Sequence, residues 1–96
     1  MPLTGKQRRA LRALGHHKEP VVIVGQSGVT EGILGALNQA LEDHELIKVK
    51  INEGPETRQE AAAKMAEGTG SELVQLLGRT ALLFKKRKKD SEFDDL

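Results

Sequence analysis

The chain has 96 residues, of which 38% are hydrophobic and 30% charged, so it has the size and apolar content of one small domain rather than of a large catalytic scaffold. It contains no Cys, which excludes disulfides and thiolate chemistry and favours the cytoplasm, and no apolar run approaches the roughly 20 residues that span a bilayer, so we expect no membrane contact. Four acidic residues after Lys89 mask a basic body, because fifteen basic against ten acidic residues give positions 1–89 a formal charge of +5.

The chain begins with a basic helix and a short strand. Thr4 can cap a helix in which Leu11 and Leu14 recur near helical spacing, and no acidic residue occurs from position 6 to position 18. We therefore expect one packed side and one cationic side, the latter with Lys6, Arg8, Arg9 and Arg12. The β-branched run at 21–24 then predicts a strand that is buried on both faces and central in a sheet.

A glycine loop follows this strand and precedes a second helix that Thr30 can cap. Its residues are Gly25, Gln26, Ser27 and Gly28. Glycines allow a ligand to approach the backbone, and a helix N-terminus offers N–H groups and a positive dipole, so the loop suits phosphate. A G-x-x-G sequence is also an ordinary strand-to-helix turn, and its spacing fits neither a Walker loop nor a nucleophile elbow.

The second half of the chain predicts a strand, a helix and a hairpin. Apolar residues at 47, 49 and 51 alternate with Lys48 and Lys50, which is typical of a strand with one basic face. Thr57 and Glu60 form a capping box for a helix that ends at glycine 68 or 70, and Gly78 suits a hairpin turn between two apolar runs. The sequence thus predicts one α/β domain with a parallel first pair of strands and an antiparallel last pair.

Few residues suggest catalysis or metal binding. The histidines at 16, 17 and 44 lack Cys partners and H-x-x-x-H spacing, and the acidic residues at 42, 43 and 45 include no evident general acid and base pair. We expect no enzyme activity, no metal and no cofactor. The basic run at 85–89 is open to three interpretations: a nucleic-acid arm, a solubilising tail, or a strand terminus that the nearby acidic residues partly neutralise. Since this run and the residues after it lack apolar anchors, we expect 86–96 to be flexible.

Five segments of the chain together resemble the CRM domain, specifically its stand-alone bacterial YhbY-like members. They are 3–16, 20–25, 28–31, 44–50 and 70–78, and the resemblance spans nearly all of residues 3–85. The strand, the G-x-x-G loop and the later HELIKVK sequence form a combination far more specific than any one of them. The resemblance implies a two-layer αβαβαββ domain over residues 1–85 with a four-stranded mixed sheet, similar to the C-terminal domain of translation initiation factor three, and a charged tail at 86–96.

The resemblance also implies a function and a set of contact residues. Family members bind RNA and associate with precursors of the large ribosomal subunit, so we expect a monomeric RNA-binding assembly factor that grips ribosomal RNA through its phosphates. The family's loop is compared with the backbone-clamping loop of KH domains. Many relatives have Lys where this chain has Gln26, and Arg where it has Lys85. The expected RNA-binding residues are Gly25, Gln26, Ser27, Gly28, Lys6, Arg8, Arg9, Arg12, Lys48, Lys50 and Lys85. The alternative is a protein-interaction adaptor on assembling ribosomes whose RNA contact is incidental.

Overall fold

The computed structural model describes residues 3–96, so positions 1 and 2 of the predicted domain lie outside it. The first helix, α1 (Gly5–Gly15), begins where the sequence predicts. The Thr4 hydroxyl accepts a hydrogen bond from the Gln7 N–H at 3.1 Å, and the Gln7 side chain accepts one from the Thr4 N–H at 2.9 Å. This reciprocal pair satisfies two donors at the helix start.

The remaining elements follow in the predicted order. They are β1 (Pro20–Val24), α2 (Glu31–His44), β2 (Leu46–Ile51), α3 (Arg58–Thr69), β3 (Glu72–Leu77) and β4 (Thr80–Phe84). The predicted caps of α2 at Thr30 and of α3 at Thr57 are confirmed. The end of α3 is at Gly70, whose φ of +67° is the left-handed conformation that glycine adopts without strain. None of the helices within residues 3–96 is long and apolar enough to cross a membrane.

The four strands form one mixed sheet in the order β1-β2-β4-β3. The predicted parallel pairing of β1 with β2 and antiparallel pairing of β3 with β4 are confirmed. The turn between β3 and β4 has Gly78 at a φ of +57°, while Arg79 keeps a negative φ, as the predicted type II′ turn requires.

Helices cover both faces of the sheet. On one face α2 and α3 enclose a core that includes Leu37, Met65, Val49 and Leu83. The opposite face holds a second cluster, Leu11, Leu46, Val74, Leu82 and Phe84, so α1 packs there. Gly15 allows this approach, because a Cβ at that position would lie 2.5 Å from a Leu82 methyl group. The predicted fold class is confirmed in its element order and sheet. One detail differs: α1 forms a third layer, whereas two layers were predicted. Because helices pack on both faces of the sheet, β2 and β4 carry apolar residues on both of their faces.

The prediction that β1 is central and buried on both faces is wrong. β1 is an edge strand, and only Val22 and Val24 pack toward the core. Val21 and Ile23 point to the other face and remain 49% and 56% exposed. A continuous β-branched run fits a central strand and an edge strand equally well. Here α1 packs over β2, β4 and β3 and leaves that face of β1 uncovered.

The C-terminal segment, residues 86–96, lies against the domain. Phe93 packs edge to face on Phe84 with ring centroids 5.1 Å apart, and Leu96 packs on the same cluster as α1. The statement that this segment lacks apolar anchors is therefore wrong, because both residues contact apolar groups far away in the sequence. The flexibility predicted for it stays a prediction.

Candidate functional site

The glycine loop after β1 is a tight turn with an exposed tip. The Gly28 N–H donates to the Gly25 carbonyl at 3.1 Å, and Gly28 is buried with a φ of +77°. Gln26 and Ser27 at the tip are exposed, and their N–H groups have no hydrogen-bond partner among residues 3–96. Two N–H groups and the Ser27 hydroxyl are therefore available to an anion at the tip.

A carboxylate from the β2–α3 connection supports the other side of this loop. Glu56 accepts a hydrogen bond from the Val29 N–H at 3.3 Å and one from the Lys64 ammonium at 2.9 Å. The Lys64 hydrogen bond is the main cause that holds the pKa of Glu56 below its ordinary value. Because Glu56 already occupies the Val29 N–H, that group is not available to a phosphate, whereas the N–H groups of the loop tip are.

Lys48 and Lys50 lie on the face of the sheet that α1 partly covers. Lys48 is half-buried and Lys50 exposed, and neither makes an ion pair with any residue that the structure describes. Lys50 is in register with Ile23, two residues before Gly25. From the spacing of strands and residues, its Cα lies about 8 Å from that of Gly25. The structure thus brings Lys50 close to the loop.

The basic residues of α1 separate into two groups. Lys6, Arg9 and Arg12 are exposed. Arg8 is half-buried, donates to the Leu73 carbonyl at 2.7 Å and lies 3.9 Å from the Glu72 carboxylate. Arg8 is therefore held against β3, whereas the other three extend into solvent, where a polyanion could reach them.

Lys85 lies away from the loop. It follows Phe84, which pairs with Leu46, whereas the loop follows Val24, which pairs with Ile51. Leu46 and Ile51 lie five residues apart along β2, which corresponds to a distance of about 17 Å. Moreover, the Lys85 ammonium donates to the Thr69 carbonyl at 2.8 Å, where a cation stabilises the C-terminus of α3. The structure does not bring Lys85 together with the other predicted contacts.

The sequence reasoning missed a buried carboxylate, Glu45, that holds the C-terminal segment. Its side chain is fully buried and accepts hydrogen bonds from the Arg87 N–H at 2.8 Å, the Ser91 hydroxyl at 2.6 Å and the Glu92 N–H at 2.7 Å. Burial raises the pKa of Glu45, but these three hydrogen bonds and the Arg87 charge outweigh burial and hold it below the ordinary value. No local pattern signals this contact, since its partners lie more than forty residues further along the chain.

The Arg87 side chain completes the attachment. Its guanidinium lies 3.3 Å from the Glu45 carboxylate and donates to the Glu42 carbonyl at 2.8 Å. It therefore stabilises the C-terminus of α2 as Lys85 stabilises that of α3. Two cations of the basic run thus have structural partners, and a third, Lys86, lies 3.2 Å from the Asp94 carboxylate.

Metal-binding groups are sparse in the part of the chain that the structure describes. Within residues 3–96 no three His, Asp or Glu side chains lie close enough to hold a metal ion together. His16 and His17 are exposed, and their rings meet edge to face with centroids 5.3 Å apart. The chemistry that the site offers is therefore that of N–H groups, a hydroxyl and cations.

Comparison with known proteins matches the chain to one family. The model of the CRS1 / YhbY (CRM) domain matches residues 3–85. The chain is 40% identical over 93 residues to "Probable RNA-binding protein PA4753" of Pseudomonas aeruginosa, covering 96% of this chain and 89% of the relative. It is 38% identical over 93 residues to "Probable RNA-binding protein YqeI" of Bacillus subtilis, covering 96% and 97%. The solution structure of SAV1595 from Staphylococcus aureus superposes with a TM-score of 0.79 at 36% identity, covering 94% of this chain and 95% of the other.

Proposed function

The chain belongs to the CRS1 / YhbY (CRM) domain family, and from this membership and the geometry of the loop we propose that it binds RNA through phosphate contacts and acts without catalysis. The observation that supports the proposal best is the exposed loop tip, where the N–H groups of Gln26 and Ser27 have no partner within the described residues. Preorganised N–H groups in a turn bind phosphate oxygens without distorting the backbone.

The loop is the anchor of this contact, and cations elsewhere on the surface of the domain provide most of the affinity. Because Gln26 is uncharged, the charge must come from elsewhere: Lys50 on β2, at about 8 Å, and the exposed residues Lys6, Arg9 and Arg12 on α1. Arg8 and Lys85 donate to main-chain carbonyls, so we assign them a positioning role. Such a surface contacts the RNA backbone at several points and is strongly sensitive to salt.

We further propose that the RNA is ribosomal RNA in precursors of the large subunit, and that the protein assists assembly in the cytoplasm as a monomer. The resemblance to the stand-alone YhbY-like proteins supports this assignment. The two relatives described above are both named as RNA-binding proteins and match this chain over nearly its whole length. The basic body of the domain fits a large, structured polyanion.

A pair of glycine variants tests the role of the loop. A Cβ at Gly25 meets no atom of the described residues within 4 Å, and neither does one at Gly35, on α2, so there is room for the first side-chain atom at either position. We expect Gly25→Gln to weaken binding to a large-subunit ribosomal RNA fragment about tenfold, since it obstructs the loop, and Gly35→Gln to bind like the wild type. Equal binding of all three proteins in fluorescence anisotropy would remove the loop from the contact.

Sedimentation of tagged protein tests the assembly role and the adaptor alternative. We expect the protein to migrate with immature large subunits in a sucrose gradient at low salt, and to leave them at high salt or after mild nuclease treatment. Migration that resists nuclease would instead support an adaptor bound to a protein. Migration at the top of the gradient under all conditions would refute the ribosomal assignment.

A further inference from the structure

Two aliphatic side chains of β1 lie on the outer face of the sheet. Val21 and Ile23 are 49% and 56% exposed, although the residues between and after them pack in the core. A single exposed apolar side chain needs no explanation. Two of them at alternate positions of one edge strand form a continuous aliphatic strip, here called the β1 strip.

Lysines lie beside the β1 strip. Strand register places Lys50 next to Ile23, and Lys48 lies at the level of the β1 bulge that contains Val21. Neighbouring strands are about 4.8 Å apart, so each aliphatic group is adjacent to a lysine stem. Neither lysine has an acidic partner within residues 3–96. The surface thus alternates apolar and positively charged groups.

This alternation fits unpaired RNA. A nucleotide offers a phosphate, which an ammonium binds, and the flat apolar face of a base, which an aliphatic side chain can cover. The two phenylalanines cannot provide an aromatic platform here, because Phe84 is buried and Phe93 packs against it. An acidic peptide would match the lysines. The glycine loop, however, continues β1 directly and presents N–H groups that have no partner in the described part of the chain and suit phosphate, which favours RNA.

We propose that Val21 and Ile23, together with Lys48 and Lys50, hold unpaired nucleotides of RNA against the edge of the sheet, with the phosphate chain entering the glycine loop. This inference rests on the proposed RNA binding and adds a selectivity to it. In a duplex the base faces are stacked on one another and the β1 strip cannot reach them, so the protein prefers loops and single strands to paired RNA.

Replacing Val21 and Ile23 together with Thr tests the inference. Threonine keeps the β-branched shape and the strand propensity, but it has a hydroxyl where Val21 has a methyl group and Ile23 an ethyl group. The matched control is Leu77→Thr, at a side chain that is 68% exposed on the opposite edge strand, β3. The probes are an RNA hairpin with an unpaired loop and a blunt duplex with the same number of phosphates. Thermal unfolding verifies that all three proteins fold.

The wild type is expected to bind the hairpin more tightly than the duplex. The double variant is expected to lose at least about tenfold in hairpin affinity, because it lacks three apolar carbon atoms that would contact the bases. Its duplex affinity and salt dependence stay unchanged, because no phosphate contact is altered. Hairpin binding by the double variant equal to that of the wild type would overturn the inference alone. Wild-type protein that binds neither RNA would refute the proposed function as well. If the double variant keeps its RNA affinity but loses a protein partner that stays bound to the wild type after nuclease treatment, the β1 strip binds a protein instead of RNA.

Discussion

Replacing Glu45 with Gln should release the C-terminal segment. The carboxylate is fully buried and receives two main-chain N–H groups and one hydroxyl, besides the Arg87 charge. Each Glu45 carboxylate oxygen accepts from one of the two main-chain N–H groups. Gln has one oxygen and one NH₂ group, so in either orientation its NH₂ group faces a main-chain N–H that also donates. Breaking a buried ion pair costs about 3–5 kcal/mol when the structure stays fixed. Since the segment can detach and admit water, we expect the free energy of unfolding to fall by about 2–3 kcal/mol.

Chemical denaturation and backbone ¹⁵N relaxation measure the two consequences. We expect the unfolding midpoint to decrease and the order parameters of residues 88–96 to fall in Glu45→Gln. The control is Glu42→Gln, an exposed carboxylate one turn earlier on α2, where a change of less than about 0.5 kcal/mol is expected. An unchanged midpoint together with an ordered segment would refute the role of Glu45. A segment that is already mobile in the wild type would show that these contacts are rarely formed in solution.

The pH dependence of stability gives an independent measure of the same group. The folded pKa of Glu45 lies below its ordinary value of 4.5, because hydrogen bonds and the Arg87 charge outweigh burial. The contribution of Glu45 to the free energy of unfolding is therefore fully present at pH values above 4.5, and it is lost as the pH falls through the lowered pKa of the folded state. Glu45→Gln should accordingly lose less stability on acidification than the wild type, while the other carboxylates contribute equally to both.

Four further substitutions separate structural from binding roles. Gly28→Ala should cost about 1–2 kcal/mol of unfolding free energy in denaturant titrations, because Gly28 has a φ of +77°. Gly15→Ala should cost about 1 kcal/mol by the same assay, since the new methyl group collides with buried Leu82. Arg8→Ala should cost about 1 kcal/mol through its lost hydrogen bond to β3, whereas Arg9→Ala should leave stability unchanged and lower the log–log salt slope of RNA binding by about one. A salt slope that changes for Arg8→Ala and not for Arg9→Ala would reverse this assignment.

Local features of the fold could be predicted from the sequence. The three helix starts at Thr4, Thr30 and Thr57 depend on side chains that bond within three residues of themselves. The hairpin at Gly78 depends on one backbone conformation. Such features are determined by neighbours in the chain, so a single sequence contains the information they need.

The long-range features could not be predicted, because no short pattern specifies a distant partner. The run at 21–24 is equally apolar whether a neighbouring strand or solvent lies beside it, and its place at the edge is set by β4, which pairs with the other side of β2. Arg87 and Glu45 are separated by most of the second half of the chain, and their ion pair depends on the path of the chain after Phe84. Within the candidate site the RNA-binding residues stay a prediction from the sequence, and the partner of each cation had to come from the structure.

The partners of these charges also explain why the proposed RNA contact is spread over a surface. Glu56 binds the Val29 N–H directly after the loop, whereas the N–H groups of the loop tip have no partner among residues 3–96 and are open to phosphate. Arg8 and Lys85 stabilise the fold by binding carbonyl oxygens. The remaining exposed cations are dispersed along α1 and β2, and none of them alone provides a strong site. Binding therefore requires a ligand with phosphates at several positions at once, and a large folded RNA meets that requirement whereas a free nucleotide does not.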